Sequence, residues 1–153
     1  MEEYKKNKNN NAAYYFIDRH LDTEIENKKV FIEATSTGRS MSYKELSIQT
    51  NKMIDLLSKF NIRREERVLM LVLDQIEFPI IFWGCIKAGV IPVPINTLLS
   101  KDIIKTILDD CRAKTIFVSE EIKDLILDIP NLISFSNDKY VIYKTMRIWH
   151  IKN

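Results

Sequence analysis

The chain has 153 residues, of which 46% are hydrophobic and 29% are charged, close to the averages of globular domains. These values argue against a chain that is disordered throughout, and the length fits about one ordinary domain. A net charge of +2, from 23 basic and 21 acidic residues, gives no strongly basic field, so we predict no nucleic-acid partner.

The amino-terminal sixty residues predict two helices and one short strand after a polar tail. Residues 1–10 are rich in Lys and Asn, so we expect them to be disordered. Asn11 can cap a first helix, in which apolar residues recur at helical spacing. Ser42 and Glu45 have the spacing of a capping box that opens a second helix. The elements are predicted at 11–25 (helix), 28–34 (strand), the turn with Gly38, and 43–60 (helix).

From residue 67 onward, strands and helices alternate. The stretch "RVLMLVL", 67–73, is apolar on both faces, which is typical of a strand in a buried parallel sheet. A helix follows over about 75–88, with Pro79 in its first turn and Gly89 at its end. The later elements are a strand in "VIPVPI", a helix in "SKDIIKTILDDC" capped by Ser100, a strand in "KTIFVS", a helix in "EEIKDLILDI" opened by Ser119 and ended by Pro130, and a strand in "NLISFS".

This order predicts an α/β fold with an open, mostly parallel sheet and helices on both of its faces. Pro92 and Pro94 lack the backbone donors that a ladder needs, so the strand in "VIPVPI" should be short, irregular or near an edge. Residues 137–153 fit the alternation poorly. They could pair as an edge strand, or they could be the divergent ending of a truncated or frameshifted coding sequence.

Residue chemistry alone assigns no catalytic, cofactor-binding or metal-binding residue. Neither GxGxxG nor GxxxxGK[ST] is present, which argues against nucleotide binding through those loops. Asp74 and Glu77 follow the strand 67–73, where open α/β sheets bind ligands, but capping of the next helix is the favoured role of Asp74. The other candidates are expected to be structural or solvated: His20, His150, Asp109, Asp110, Glu120, Glu121 and the arginines of "NIRREER".

Five large apolar residues at helical spacing are expected to form core rather than a cofactor pocket. They are Phe16, Met53, Phe60, Phe78 and Phe82. Cys85 and Cys111 have no CxxC spacing, so neither a disulfide framework nor a zinc site is predicted. We expect a soluble, cytoplasmic protein without a membrane span, because the start of the chain is polar and the longest apolar run falls short of ~20 residues.

Several segments, taken in order, resemble the amino-terminal region of the adenylate-forming acyl-CoA synthetases, most closely the benzoate–CoA ligase group. They are "NAAYYFIDRHL", "MSYKEL", "NIRREERVLMLVLDQIEFPIIFWGCIKAGVIPVPINTLLSKD" and "CRAKTIFVS". "MSYKEL" resembles the first core motif of the family and "IKAGVIPVPIN" the second. The resemblance covers roughly 11–130 and implies that 11–136 is a partial amino-terminal domain of the adenylate-forming enzyme fold.

The resemblance also implies a two-step reaction for the full-length family, with ATP, magnesium and CoA. An acid, with an aryl acid such as benzoate as the best candidate, forms an acyl-adenylate and pyrophosphate, and CoA then displaces AMP. This chain lacks the Ser/Thr/Gly-rich phosphate loop, the later nucleotide motifs and the carboxyl-terminal domain of the family. In some relatives the loop after the second motif approaches CoA, but Leu98 and Leu99 offer no charge for a phosphate.

We therefore expect a ligase fragment that binds no cofactor alone and is inactive by itself. Two alternatives stay open. One is a non-catalytic α/β binding or interaction module. The other is one half of a split ligase, whose partner would be the missing remainder of the enzyme.

Overall fold

The computed structural model of the protein describes residues 11–34, 38–127, 140–144 and 147–150, with the backbone alone at 127 and in the last two ranges. Three predictions lie outside the described residues: the disordered tail at 1–10, the helix end at Pro130 and the strand in "NLISFS". The chain divides into two compact units. The first holds the described residues of Met1–Arg64 and Asp74–Val90, and the second those of Glu65–Leu73 and Ile91–Asn153.

The first unit is mainly helical. Its elements are α1 (Ala12–Phe16), a 3-10 turn (Asp18–His20), β1 (Lys29–Ile32), β2 (Ser40–Ser42), α2 (Tyr43–Lys59) and α3 (Glu77–Ala88). β1 and β2 form a two-stranded antiparallel sheet. A small apolar core joins these elements, with the buried side chains of Ile17, Met41, Leu46, Ile76 and Ile80.

The helix predicted over 11–25 is much shorter in the structure, so its predicted length is wrong. Asn11 caps it as predicted, because its Oδ1 accepts a hydrogen bond from the backbone N–H of Ala13 at 2.9 Å. α1 nevertheless ends at Phe16, and Asp22 has a φ of 58°, which no continuing right-handed helix can contain. The apolar spacing continues past Phe16, but Asp18, just after the helix, pairs with the distant residues Lys87 and Ser47.

α2 begins as the sequence predicts. The Oγ of Ser42 accepts from the backbone N–H of Glu45 at 3.2 Å, and the Glu45 carboxylate accepts from the backbone N–H of Ser42 at 2.8 Å. α2 then packs very closely on α3, because a Cβ added to Gly84 would lie 2.5 Å from the Cβ of Met53. α3 ends at Gly89, whose φ of 75° gives the left-handed stop that the sequence indicates.

The second unit contains the parallel sheet. Its elements are β3 (Arg67–Leu71), β4 (Ile91–Pro94), α4 (Lys101–Cys111), β5 (Thr115–Ser119), a 3-10 turn (Glu120–Ile122), α5 (Asp124–Leu127), β6 (Tyr140–Lys144) and β7 (Arg147–His150). The strand order is β4-β3-β5-β6-β7, in which β7 alone runs antiparallel to its neighbour. The mostly parallel sheet is thus confirmed, and so is the edge position of the proline-containing strand β4.

The central strands are buried on both faces. Leu69 and Val118 pack with Ile104 and Leu108 of α4 in one apolar cluster. The intervening residue Met70 is fully buried as well. For β3, this double burial is what the nearly continuous apolar run of 67–73 predicts for a parallel sheet.

Ser100 and Ser119 occupy the N-cap positions predicted for them, but neither side chain makes a capping hydrogen bond. The Oγ of Ser119 instead accepts from the backbone N–H of Leu73 at 3.0 Å, which ties together the ends of two strands. The helix predicted after Ser119 is a 3-10 turn followed by the short α5. Among the helices of the described ranges, none has the length and apolar character needed to cross a membrane.

Candidate functional site

Asp74 and Glu77, the two carboxylates that follow strand 67–73, differ in burial: Asp74 is exposed and Glu77 is buried. The N-cap position of α3 belongs to Ile76, so the predicted capping by Asp74 is wrong. The backbone N–H of Ile76 donates to Oε1 of Glu33 at 2.6 Å instead. A carboxylate 43 residues earlier in the chain therefore satisfies the start of α3.

Glu77 is 2% exposed and belongs to an ionic cluster with the buried Glu33 and the partly exposed Arg39. Both terminal nitrogens of Arg39 reach the Glu77 carboxylate, at 2.7 and 2.9 Å, and Nε donates to Glu33 at 2.9 Å. Hydrogen bonds to Glu77 first, and then to Glu33, raise the pKa of the Arg39 guanidinium above its usual value. Because these carboxylates accept strong bonds from one cation, the arrangement suits holding the β1–β2 connection against α3 better than acid–base chemistry.

A second buried cluster surrounds Lys87, which is 3% exposed. Its Nζ lies 2.7 Å from Oδ1 of Asp18, 3.3 Å from Oγ of Ser47 and 3.5 Å from Oγ1 of Thr50. The Ser47 hydroxyl also donates to Oδ1 of Asp18 at 2.7 Å. The charge of Lys87 is thus matched by one carboxylate and two hydroxyls, as burial of an ammonium group demands.

Asn11 adds a backbone link at the same place. Its Nδ2 donates to the backbone carbonyl of Ile86 at 2.9 Å and contacts that of Lys87 at 3.5 Å. The segments "NAAYYFIDR" and "IKAG" and the helix that begins in "MSYKEL" therefore meet around Lys87. The sequence could not show this contact, because each segment looks complete in its own local pattern.

The remaining titratable candidates fit the structural roles expected of them. Asp109 is exposed and pairs with Lys105 at 2.9 Å, and Glu120 pairs with Lys123 at 2.7 Å. The ring of His20 lies 4.5 Å from that of Tyr43 and is tilted against it by 50°, whereas the side chain of His150 lies outside the described residues. Over the described residues, no group of three or more His, Cys, Asp or Glu side chains could hold a metal ion.

Both cysteines are free thiols. Cys85 is fully buried, and this burial raises its pKa to about 12, so it stays protonated and unreactive at neutral pH. Burial also raises the pKa of Cys111, which is partly exposed. Neither thiol has the lowered pKa of a nucleophile.

The three glycines do not form a cradle for the phosphates of ATP or CoA. Gly84 lies against Met53, and Gly89 ends a helix at a point where an added Cβ would lie 3.1 Å from the Arg64 side chain. Gly38 has a φ of 54°, and a Cβ added to it would meet no atom within 4 Å. In the loop after β4, Leu98 is 90% exposed and carries no charge. These residues therefore do not fit a nucleotide site.

A row of aromatic side chains departs from the predicted core. Phe60 and Met53 are buried as expected, but Phe16 is 53% exposed, so its assignment to the core is wrong. Its ring lies 5.5 Å from that of Trp83, and Arg19 stacks 3.7 Å above the ring of Tyr15. We call the row the aromatic strip: Tyr15, Phe16, Trp83, Phe82 and Phe78, whose neighbouring rings lie 5.1, 5.5, 5.3 and 6.1 Å apart.

Comparison with known proteins gives one consistent result. The family described as AMP-binding enzyme matches residues 18–147. A 4-hydroxybenzoate–CoA/benzoate–CoA ligase of Rhodopseudomonas palustris is 35% identical over 80% of this chain and 23% of its own length. A benzoate–CoA ligase of Thauera aromatica is 37% identical over 75% of this chain and 21% of its own length.

The fold agrees with these sequence matches. A crystal structure of an anthranilate CoA ligase in complex with anthranoyl-AMP superposes with a TM-score of 0.78 and 32% identity, over 87% of this chain and 25% of that one. The chain thus spans about a fifth to a quarter of the length of these relatives. The resemblance noted in the sequence is confirmed, and the chain belongs to the family of AMP-binding, adenylate-forming enzymes.

Proposed function

We propose that this chain supplies the amino-terminal portion, over 11–136, of an AMP-forming acid–CoA ligase that acts on an aryl acid. The observation that carries the proposal is the identity of 35–37% with two benzoate-type ligases over three quarters or more of the chain. The superposing crystal structure is that of an anthranilate ligase. All three proteins are named for aromatic carboxylic acids, and benzoate is therefore the first substrate to try.

In the proposed reaction of the whole ligase, the acid carboxylate attacks the α-phosphorus of ATP and releases pyrophosphate. The thiol of CoA then attacks the acyl carbon of the acyl-AMP, and AMP leaves. The contribution proposed for this chain is scaffolding. Its buried charges around Lys87 and Arg39 are matched by partners that hold helices and turns together.

We further propose that the 153-residue chain has no ligase activity alone. Its three glycines serve a turn, a helix contact and a helix end, and its sequence contains no Ser/Thr/Gly-rich loop that ends in Pro-Lys. Without such a loop, the β- and γ-phosphates of ATP have no backbone N–H groups to bind them.

Two measurements test these proposals. The purified chain, given ATP, Mg²⁺, CoA and benzoate, is expected to release no benzoate-dependent pyrophosphate. A hybrid of the Thauera aromatica ligase, in which the region that this chain matches is replaced by residues 11–136 of this chain, is expected to form benzoyl-CoA. The unmodified ligase and a reaction without benzoate serve as controls.

The two outcomes that contradict the proposals are distinct. Pyrophosphate release by the chain alone would refute its inactivity. A hybrid that folds cooperatively but forms no acyl-CoA from benzoate, 4-hydroxybenzoate or anthranilate would refute the assignment to an aryl-acid ligase.

We also infer a cytoplasmic location, which the two free thiols support. Secreted domains with two cysteines commonly join them in a disulfide, and a reducing compartment keeps them apart. Fractionation of cells that express the tagged chain tests this inference. Recovery in a periplasmic or secreted fraction would contradict it.

A further inference from the structure

α3 has no polar outer face. Its two charged residues, Glu77 and Lys87, are both buried and paired within the first unit. The side chains of α3 that remain partly exposed are apolar, and they include three rings of the aromatic strip: Phe78, Phe82 and Trp83. A helix whose outward side chains are all apolar is typical of the interior of a larger protein.

α4 shows the ordinary alternative within the same chain. Ile104 and Leu108 face its core, while Asp102, Asp109 and Asp110 lie exposed on the other side. A solvent-facing helix of this protein can therefore carry charges. The absence of an exposed charge is therefore a property of α3 and not of every helix in this chain.

The aromatic strip also extends beyond α3. Tyr15 and Phe16 of α1 are 54% and 53% exposed, and their rings continue the row of contacts from Trp83. Contiguous exposed aromatic side chains mark interaction surfaces, and aromatic residues together with Arg dominate the buried centres of such surfaces. Arg19, stacked on Tyr15, gives the strip one cationic end.

We propose that the aromatic strip is the surface on which the remaining portion of an acid–CoA ligase packs. The inference rests on the proposed function, because that function names the occupant. About three quarters of the length of these relatives lies outside the matched region, and this portion has the size to cover an apolar face. We expect the contacting part to be apolar, with an acidic group opposite Arg19.

The test compares thiol reactivity at two positions. Phe16→Cys places a thiol in the strip, and Ser58→Cys places one on the polar, exposed side of α2 as a matched control. Both are made with Cys111→Ala, and the buried Cys85 stays unreactive. Maleimide labelling rates are measured in the 153-residue chain and in the hybrid ligase described above.

In the chain alone, both introduced thiols should react at similar rates. In the hybrid, the Phe16→Cys thiol should react at least ~10-fold more slowly, while the Ser58→Cys thiol keeps its rate, because reactivity follows exposure. Equal rates at Phe16→Cys in the chain and in the hybrid would overturn the proposal. Protection in the chain alone that disappears on dilution would also overturn it, since a second copy would then be the occupant.

Benzoyl-CoA formation by the same hybrid separates this inference from the proposed function. Protection of the Phe16→Cys thiol without turnover would leave the surface standing and refute the aryl-acid assignment. Turnover without protection of the Phe16→Cys thiol would support the aryl-acid assignment and refute the proposed packing surface. If the hybrid does not fold, cysteines at the two superposing positions of the intact anthranilate CoA ligase decide whether this face is covered.

Discussion

The two compact units of the chain are stabilised by different chemistry. In the described residues, every buried charged side chain belongs to the first unit, and these are Glu33, Glu77 and Lys87. The second unit has an apolar cluster built on β3, β5 and α4, and its ion pairs lie at the surface. The first unit thus adds buried, paired charges to its apolar core, whereas the described core of the second unit is apolar.

Buried charges and apolar packing differ in how strictly they fix the positions of helices and strands within a unit. Apolar packing tolerates exchanges of similar volume, whereas a buried ammonium group accepts only a position that offers it a carboxylate and hydroxyls. In the first unit, Lys87 finds these groups on Asp18 and Ser47, which come from separate segments. We therefore expect charge pairing to fix the arrangement of α1, α2 and α3.

The largest effect is expected from Lys87→Met. This change leaves Asp18 without its cation in a site where it is 12% exposed, and the free energy of unfolding should fall by about 3–5 kcal/mol. The double variant Asp18→Leu with Lys87→Met should recover most of the loss. Urea unfolding followed by circular dichroism measures both. Equal losses in the single and double variants would contradict a role for charge pairing.

Ile104→Ala tests the apolar unit. Ile104 is fully buried in the cluster with Leu69 and Val118, so its truncation should cost about 3 kcal/mol through lost burial and a cavity. Ile103→Ala, next to it on α4 and 47% exposed, is the control and should change the free energy of unfolding by less than about 0.5 kcal/mol. Similar losses in both variants would show that α4 packs through another face.

The capping box of α2 gives a smaller, pH-dependent effect. Ser42→Ala should cost about 1 kcal/mol at pH 7, as loss of an N-cap usually does. Hydrogen bonds from Ser42 hold the pKa of Glu45 below its usual 4.5, so its contribution is present above that pH and is lost as the pH falls through the lowered value. The difference in the free energy of unfolding between Ser42→Ala and the parent chain should therefore be smaller at pH 3 than at pH 7, without vanishing, because the Ser42 Oγ still accepts from the backbone N–H of Glu45. A constant difference would contradict this account.

The smallest effect is expected from Lys105→Ala. Lys105 and Asp109 form an ion pair of 2.9 Å, close to the 2.7 Å of Lys87 and Asp18, but both side chains are well exposed. Water and salt screen this pair, so the loss should stay below about 0.5 kcal/mol and shrink further in 1 M NaCl. A loss comparable to that of Lys87→Met would show that burial does not separate the two pairs.

The sequence predicts best where the signals are local. The structure confirms the caps at Asn11 and Ser42, the stop at Gly89 and the strands in "RVLMLVL" and "KTIFVS". Each of these predictions depends on residues that are near neighbours in the sequence. The prolines of β4 predicted a strand that is short, irregular or near an edge, and β4 is a four-residue strand at the edge of the described sheet.

The errors fall where distant residues decide. The helix from Asn11 stops early, with Asp18 bound to Lys87, and Glu33 takes the role predicted for Asp74 at the start of α3. The exposure of Phe16 was missed because helical spacing shows which residues share a face of a helix, not whether that face is buried. The cluster of Arg39 with Glu33 and Glu77 has no local pattern at all.

The strand order has a consequence for the synthesis of the protein. β3 precedes both of its neighbours in the chain, and they arrive on opposite sides: β4 after α3, and β5 only after α4 as well. At ~5–20 residues per second, the β5 side of this apolar strand stays open for seconds on the ribosome. A nascent chain that pauses before residue 115 would present that edge to chaperones or to other nascent chains.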